Sequence, residues 1–389
     1  MIPDASEEGF IKEIVSAGVG FVFFGEDFST YGSHDIELIY VRTGGTENVF
    51  KEVFPCLKGK VTLLTSGASN SLAASMEILS FLRQQGREGE ILHGSAAYIA
   101  ERIAALSRAE RARRRLNGAR AGVIGRPSDW LIASDPDRDA VRDRLGIEIV
   151  DIPMDEFITE IHGGLCEAPS GFPLKSVKHS VNPKVTQKVF EGALGIYGAL
   201  KCIIDRYDLS AVTLRCFDLL STVGNTGCLA LALLNSEGIP AGCEGDIPTL
   251  LTMCVSNALF NTTGFMANPS RMDPFTGEMV FAHCTVPFNM LRDYVYDTHF
   301  ESGIGVAVKG ELPEGPVTLF KMAPGLDRCF TAEARLIKNL SEKRLCRTQV
   351  LLRLDDRSLC RDYFLTDPIG NHHVIVPGRH AQEIRDFLR

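Results

Sequence analysis

The chain has 389 residues, with 41 Lys and Arg against 49 Asp and Glu, a formal net charge of −8 and 45% hydrophobic residues. That length accommodates two or three domains, and an acidic chain whose basic residues are scattered along it is no candidate for binding nucleic acid. No apolar stretch approaches the roughly 20 residues of a membrane span, and the start MIPDASEEGF lacks a basic segment followed by an apolar core, so a cytoplasmic protein without membrane contacts is expected.

From residue 18 to about 118, apolar runs with strand character (GVGFVFFG, IELIYV, KVTLLTSG) alternate with helical stretches such as NSLAASMEILSFLRQQG. This alternation predicts a parallel sheet covered by helices, an α/β domain over 1–118. GVGFVFFG lacks both the GxGxxG spacing and a glycine turn opening a helix, so no nicotinamide is expected. The basic run RAERARRR, 108–115, reads as a solvated helix end.

A second α/β domain is predicted over 119–295. It opens with ARAGVIGRPSDWLIAS and resumes after the loop-like stretch 163–181 with a long helix near 183–206. The strand AVTLRCF, a helix through GNTGCLALALLNSEG, the strand IPAGC, the helix DIPTLLTMCVSNALF and two short strands, GFMAN and MVFAHC, follow in order. From about 300 the pattern changes to short β-like runs broken by PEG, APG and DDR turns and then a terminal helix, which predicts a small β-rich domain over 296–389. The eleven cysteines include no CxxC pair and fit neither a zinc ribbon nor a small disulfide scaffold, so most are expected to be reduced and buried.

Chemistry concentrates at AGCEGDIPTLLTM, 241–253. Ile247, Leu250, Leu251, Cys254, Val255 and Ala258 recur at helical spacing, Pro248 suits a first turn and Asp246 an N-cap. Glu244 is thereby placed just beyond the carboxyl end of a strand, in the crevice where open α/β sheets bind ligands. A carboxylate there suits metal binding or proton transfer; an ordinary loop residue is the plain alternative. The strand ends GFMANPSR and MVFAHCTVP are expected to bring Asn268 and His283 to the same edge. In DPIGNHHVIVPG the pleat turns His372 and His373 to opposite faces, so one of the two is the candidate.

The order CEGD, FMAN, FAHCTVP and GNHHVIVPG resembles the L-fucose and L-arabinose isomerase superfamily, most closely its shorter fucose-isomerase-like proteins. The resemblance covers most of the chain and implies two Rossmann-like α/β domains followed by a β-barrel-like domain. It implies aldose–ketose isomerisation through an enediol with a divalent cation, usually Mn²⁺, with Mg²⁺, Co²⁺, Zn²⁺ or Fe²⁺ as alternatives for a donor set of this kind. Transferred onto this sequence, Glu244 is a metal ligand and acid/base, His283 and His373 are metal ligands, and His372 touches substrate. Asn268 stands where the family has a carboxylate; its carbonyl oxygen ligates a hard cation but shuttles no proton. Asp246, Asp218 or a water is then left as the second acid/base.

Arg271, Asn70, His93 and Trp130 complete the expected sugar site, Arg271 by holding a hydroxyl or anionic substituent. The partners implied are a monosaccharide (deoxy, pentose or anionic) and further copies of the chain in a homo-oligomer with shared active sites. A noncatalytic sugar-binding or regulatory protein on the same scaffold is the alternative reading, in which Asn268 records a lost acid/base pair, and an epimerase using the same enediol is a third.

Overall fold

The computed structural model describes residues 5–25, 27–28, 31–164 and 174–388; part of the loop-like stretch expected at 163–181 lies outside the described residues. The chain is α/β with parallel-sheet regions and a closed six-stranded barrel, and it separates into two compact units, Met1–Arg111 and Ala112–Arg389.

The first unit contains α1 (Ala5–Ser16), β1 (Leu38–Tyr40), α2 (Glu47–Val53), β2 (Val61–Leu64), α3 (Ser71–Gln84), β3 (Gly89–Leu92) and most of α4 (Ala96–Leu116). β2 pairs in parallel with β1 on one side and β3 on the other, which is why its residues Val61 to Leu64 are all buried. Ala74, Ile78 and Leu82 recur every fourth residue on α3 and supply its buried face. GVGFVFFG forms no strand, contrary to expectation: Val22, Phe23 and Phe24 are 79%, 61% and 50% exposed. Strand-like composition yields a strand only where a neighbour completes the ladder.

The second unit opens with β4 (Arg120–Ile124), α5 (Arg138–Leu145), β5 (Glu148–Ile152), α6 (Met154–Gly163), α7 (Gln187–Tyr207), β6 (Ala211–Leu214), α8 (Asp218–Thr222), α9 (Cys228–Ser236), β7 (Ala241–Cys243) and α10 (Ile247–Phe260). Its parallel sheet has the order β5-β4-β6-β7. There follow β8 (Phe265–Asp273), β9 (Glu278–His283), β10 (Asp293–Asp297), β11 (Ala307–Glu311), β12 (Gly315–Met322), β13 (Cys329–Asn339), β14 (Thr348–Leu354), β15 (His373–Pro377) and α11 (Ala381–Leu388). The barrel runs β12-β13-β14-β9-β8-β15 through antiparallel pairs.

The GFMAN and MVFAHC segments therefore belong to the barrel, as β8 and β9, and not to the parallel sheet. The switch follows from chain length: Asp273 and Glu278 pair across a tight turn, and a connection that short makes an antiparallel hairpin, whereas a parallel crossover needs a dozen or more residues. The barrel thus takes strands from both sides of residue 295.

The basic run also departs from a purely solvated role. Arg113 donates to the carbonyls of Asp386 and Phe387 at 3.2 and 2.6 Å, and Arg115 to the Ala258 carbonyl and Asn261 Oδ1 at 3.2 and 2.8 Å. Both guanidinium groups cap carbonyl groups at the ends of α11 and α10, where the helix dipole favours a cation. Cys202 is disulfide-bonded, while Cys216, Cys228, Cys243, Cys284 and Cys346 are free, in line with the expectation that most thiols are reduced. No described helix is long and apolar enough to cross a membrane.

Between β7 and α10 the chain takes two consecutive left-handed residues, Glu244 (φ 64°) and Gly245 (φ 73°). The second position requires glycine, because a Cβ there would stand 2.5 Å from the Arg126 carbonyl oxygen. Gly245→Ala is expected to lower stability by about 2 kcal/mol or more, combining left-handed strain with that clash. A denaturation midpoint equal to that of the parent protein would show that the turn relaxes freely.

Candidate active site

Sequence-local forces build the Glu244 turn first. Asp246 leaves the left-handed pair with extended backbone and caps α10, its Oδ1 accepting from Thr249 N at 2.8 Å. The Glu244 carbonyl accepts from Ser128 N at 2.9 Å, and Gly245 N donates to the Leu214 carbonyl at 3.1 Å. The turn is thus pinned to the segment after β4 and to the end of β6. Arg215, just past β6, holds the same segment by donating to the Pro127 carbonyl at 2.6 Å and pairing with Asp129 at 2.9 Å.

That scaffold directs Trp130 onto the site. Its indole Nε1 donates to Glu244 Oε2 at 2.6 Å, and its ring meets Phe217 edge-on with centroids 4.8 Å apart. Phe217 in turn packs edge-on against His299 at 5.5 Å. The indole is 52% exposed, so an open aromatic surface borders the carboxylate.

The other carboxylate oxygen faces two imidazoles. Glu244 Oε1 lies 3.7 Å from His372 Nε2 and 4.0 Å from His283 Nε2, distances too long for hydrogen bonds. His372 is fully buried, and its Nε2 has no hydrogen-bond partner among the described residues. The opposite edge of each ring is anchored: His372 Nδ1 to Asp246 Oδ2 at 2.8 Å and His283 Nδ1 to Thr285 Oγ1 at 3.1 Å. A carboxylate only accepts, so Nδ1 of His372 carries the hydrogen in that contact.

Electrostatics sort these groups. Burial pushes the Glu244 carboxyl up, but the His372 contact, the charges of His372 and His283 and the Trp130 N–H outweigh it and bring it down to about 2. Burial disfavours charge on His372, yet the Asp246 and Glu244 carboxylates lift it to about 9. Burial, helped by the charge of His372, drives His283 down to about 4 and keeps it neutral. Asp246, although wholly buried, is held well below the usual carboxylate range: burial opposes its charge, while Lys321, His372 and Thr249 N–H favour it.

Lys321, on β12, went unremarked in the sequence. It is buried, donates to Thr249 Oγ1 at 2.6 Å and lies 3.6 Å from Asp246 Oδ2; burial pulls its ammonium below the usual lysine range despite Asp246. A charged residue inside the apolar run VTLFKM was the one available signal, since an unpaired lysine is almost never fully buried.

The expected site residues divide accordingly. Glu244, Asp246, His283, His372 and Trp130 come together. Asp246 spends both oxygens on Thr249, His372 and Lys321, which makes it a positioning residue for His372 and leaves no free oxygen for a substrate. His373 is a correction: its Nε2 meets the Tyr363 hydroxyl at 2.9 Å, its Nδ1 the Asn371 carbonyl at 3.0 Å, and Phe281, Phe330 and Phe364 surround the ring. The pleat turns it away from Glu244. Burial lowers it to about 3, as suits a neutral core histidine.

The exposed guanidinium of Arg271 forms a bidentate pair with Glu342 at 3.0 and 2.8 Å. Asp218 is tied to Arg215 at 3.0 Å. Asn268 is half-buried, and its backbone pairs with Ala282, next to His283; no hydrogen bond among the described residues joins its side chain to Glu244 or the histidines. Asn70 and His93 are described within the first unit. Asn70 occupies the N-cap position of α3 in left-handed conformation without a side-chain cap bond, and His93 Nδ1 meets the Thr65 carbonyl at 3.1 Å.

No family model matches the chain. Over 131 residues, 33% of the chain, it is 27% identical to the sulfoquinovose isomerase of Clostridium sp. (strain MSTE9), and that match covers 28% of the relative. The likeness is to part of a sugar isomerase.

Chemically, Glu244 Oε1, His283 Nε2 and the orphaned His372 Nε2 converge as a hard-to-borderline donor set, with a buried carboxylate behind one imidazole in the manner of metal-site histidines. A separate cavity beyond the opposite strand ends, lined by Arg115, Arg120, Ala211, Pro240, Cys254 and Asn257 among others, has no carboxylate or imidazole in its wall and offers no such chemistry.

Removing one member of the buried Asp246–Lys321–His372 group strands the charge of the others. Lys321→Met is expected to destabilise the protein by about 3 kcal/mol, read by chemical denaturation. A loss below about 1 kcal/mol would mean that His372 alone compensates Asp246.

Proposed function

We propose that the protein is an aldose–ketose isomerase acting on a monosaccharide, with a divalent cation held by Glu244, His283 and His372. The observation that carries this reading is a carboxylate oxygen 3.7 and 4.0 Å from two imidazole nitrogens, one of them buried and without a hydrogen-bond partner among the described residues, just past the carboxyl end of β7. The partial likeness to a sulfoquinovose isomerase supports a sugar isomerase over other uses of such a site. Mn²⁺ is the favoured ion.

The reaction moves the C2 proton to C1 and the O2 proton to O1. A bound cation would supply Lewis-acid stabilisation of the negative charge on those oxygens. Glu244 is ionised at neutral pH and is the group placed to take the carbon-bound proton. A single carboxylate suffices when it removes and returns that proton on one face of the enediol, so the amide of Asn268 does not block the reaction. The Trp130 N–H orients Glu244, and the exposed indole, backed by Phe217, offers a surface for the apolar face of a sugar ring. Asp246 accepts the Nδ1–H of His372, so Nε2, directed at Glu244, is the nitrogen that gives up its proton when a cation binds. The substrate class is a deoxy, pentose or anionic sugar.

Two measurements test this. Protein stripped with a chelator should form ketose from a panel of aldoses, sulfoquinovose included, only after Mn²⁺ or a related ion is restored, with solvent deuterium entering at C1 or C2. Glu244→Gln should lower kcat by about 10³-fold while leaving the fold intact. Sugar binding by the metal-loaded protein with neither turnover nor deuterium exchange would replace this reading with the noncatalytic one, in which Asn268 marks a lost catalytic carboxylate.

Asp246→Asn separates positioning from chemistry. It removes the charge behind His372 and should weaken the cation affinity by about 10- to 100-fold, measured by equilibrium dialysis. An unchanged affinity would remove His372 from the ligand set.

A further inference from the structure

A second donor set overlaps the first. The Cys243 Sγ, a Glu244 carboxylate oxygen and a His283 ring nitrogen all lie within 4.8 Å of one another. Cys243 is the last residue of β7, and both it and Cys216, just beyond β6, are buried. Their sulfurs are 3.0 Å apart in a thiol–thiol hydrogen bond. The two strands are neighbours in the parallel sheet, so the sheet itself holds the dithiol beside Glu244. Independently, the buried Nε2 of His372, without a hydrogen-bond partner among the described residues, lies 3.7 Å from Glu244 Oε1.

We infer that Cys243 makes this a two-mode cation site, in which a thiophilic divalent ion such as Zn²⁺, Cd²⁺ or Co²⁺ is taken through Cys243, Glu244 and His283. The inference rests on the reading of Glu244 and His283 as cation ligands. Hard ions favour oxygen and imidazole donors, whereas borderline and soft ions gain most from thiolate. Zinc binds sulfur at about 2.3 Å and nitrogen or oxygen at about 2.0–2.2 Å, so tetrahedral donors sit about 3.5 Å apart.

Ligation replaces the Cys243 S–H bond with a sulfur–metal bond and releases the proton to solvent. Cys216 then donates its S–H to the Cys243 thiolate, acting as the outer partner that metal-bound sulfur ordinarily has. Because Glu244 and His283 serve both modes, a thiophilic ion held this way excludes the Glu244–His283–His372 arrangement. Zn²⁺ or Cd²⁺ therefore competes with the ion that supports catalysis instead of substituting for it.

Cobalt reports the difference directly, since only a sulfur ligand produces an intense near-ultraviolet sulfur-to-cobalt charge-transfer band. Chelator-stripped, reduced full-length protein titrated with Co²⁺ should develop this band, Cys243→Ser should lose it while still binding cobalt by dialysis, and Cys216→Ser, which keeps a hydrogen-bond donor, should retain it. Cobalt bound with only weak visible bands would overturn the two-mode site and leave the isomerase reading standing, to be judged by Mn²⁺-dependent turnover. Loss of the band in Cys216→Ser but not in Cys243→Ser would also overturn it, by assigning the sulfur to the wrong residue. Absence of cobalt binding under any condition would overturn the two-mode site together with the ligand assignment of Glu244 and His283. Cys243→Ala, which also lacks the thiol, repeats the test if Cys243→Ser fails to fold.

Discussion

The hydrogen bond between His372 and Asp246 is the contact on which the rest of the site depends. It joins the barrel, through the residue preceding β15, to the amino terminus of α10 in the α/β layer. A carboxylate with no exposure at all is tolerated only if its charge is matched and its oxygens are occupied. Here the Thr249 N–H, the His372 ring and the Lys321 ammonium share that task, and Lys321 arrives from yet another barrel strand. The cost of burying these charges is thereby converted into a fixed register between barrel and sheet, and the imidazole Nε2 is left aimed at Glu244.

Glu244 is held as tightly from its own side. Its left-handed backbone is costly for any residue with a Cβ, and such strain persists where the surroundings impose it. The Ser128 and Leu214 backbone bonds and the obligatory glycine at 245 do so here. Trp130 then occupies one carboxylate oxygen and leaves the other facing the histidines. The carboxylate is positioned by two elements distant in sequence, the Arg215-anchored segment after β4 and the barrel, so neither alone makes the site.

The cysteines show how a residue type acquires meaning from its neighbours. As composition, eleven cysteines without a CxxC pair suggest small buried side chains, and Cys254 on α10 is such a residue. Cys216 and Cys243 are equally buried, but adjacent parallel strands bring their sulfurs into contact beside a carboxylate and an imidazole.

The sequence by itself determined what depends on near neighbours along the chain. Helical spacing from Ile247 to Ala258, Asp246 as the cap, the placement of Glu244 at a strand mouth and the pairing of apolar strands with covering helices are local or nearly so, and they were legible. Only the tertiary structure decided which strands pair and which face of each is inward. The same apolar character allowed β8 and β9 to be read into the parallel sheet, and allowed GVGFVFFG to be read as a strand, because strand propensity says nothing about the partner that completes the ladder. Pleating dictated that His372 and His373 diverge, but which one meets Glu244 depends on where the aromatic core of Phe281, Phe330 and Phe364 lies. Likewise Asp246, Lys321 and Arg271 are charged residues alike in sequence; burial against Thr249 and His372, or pairing with Glu342 at the surface, assigns their roles, and burial is a property of the whole fold.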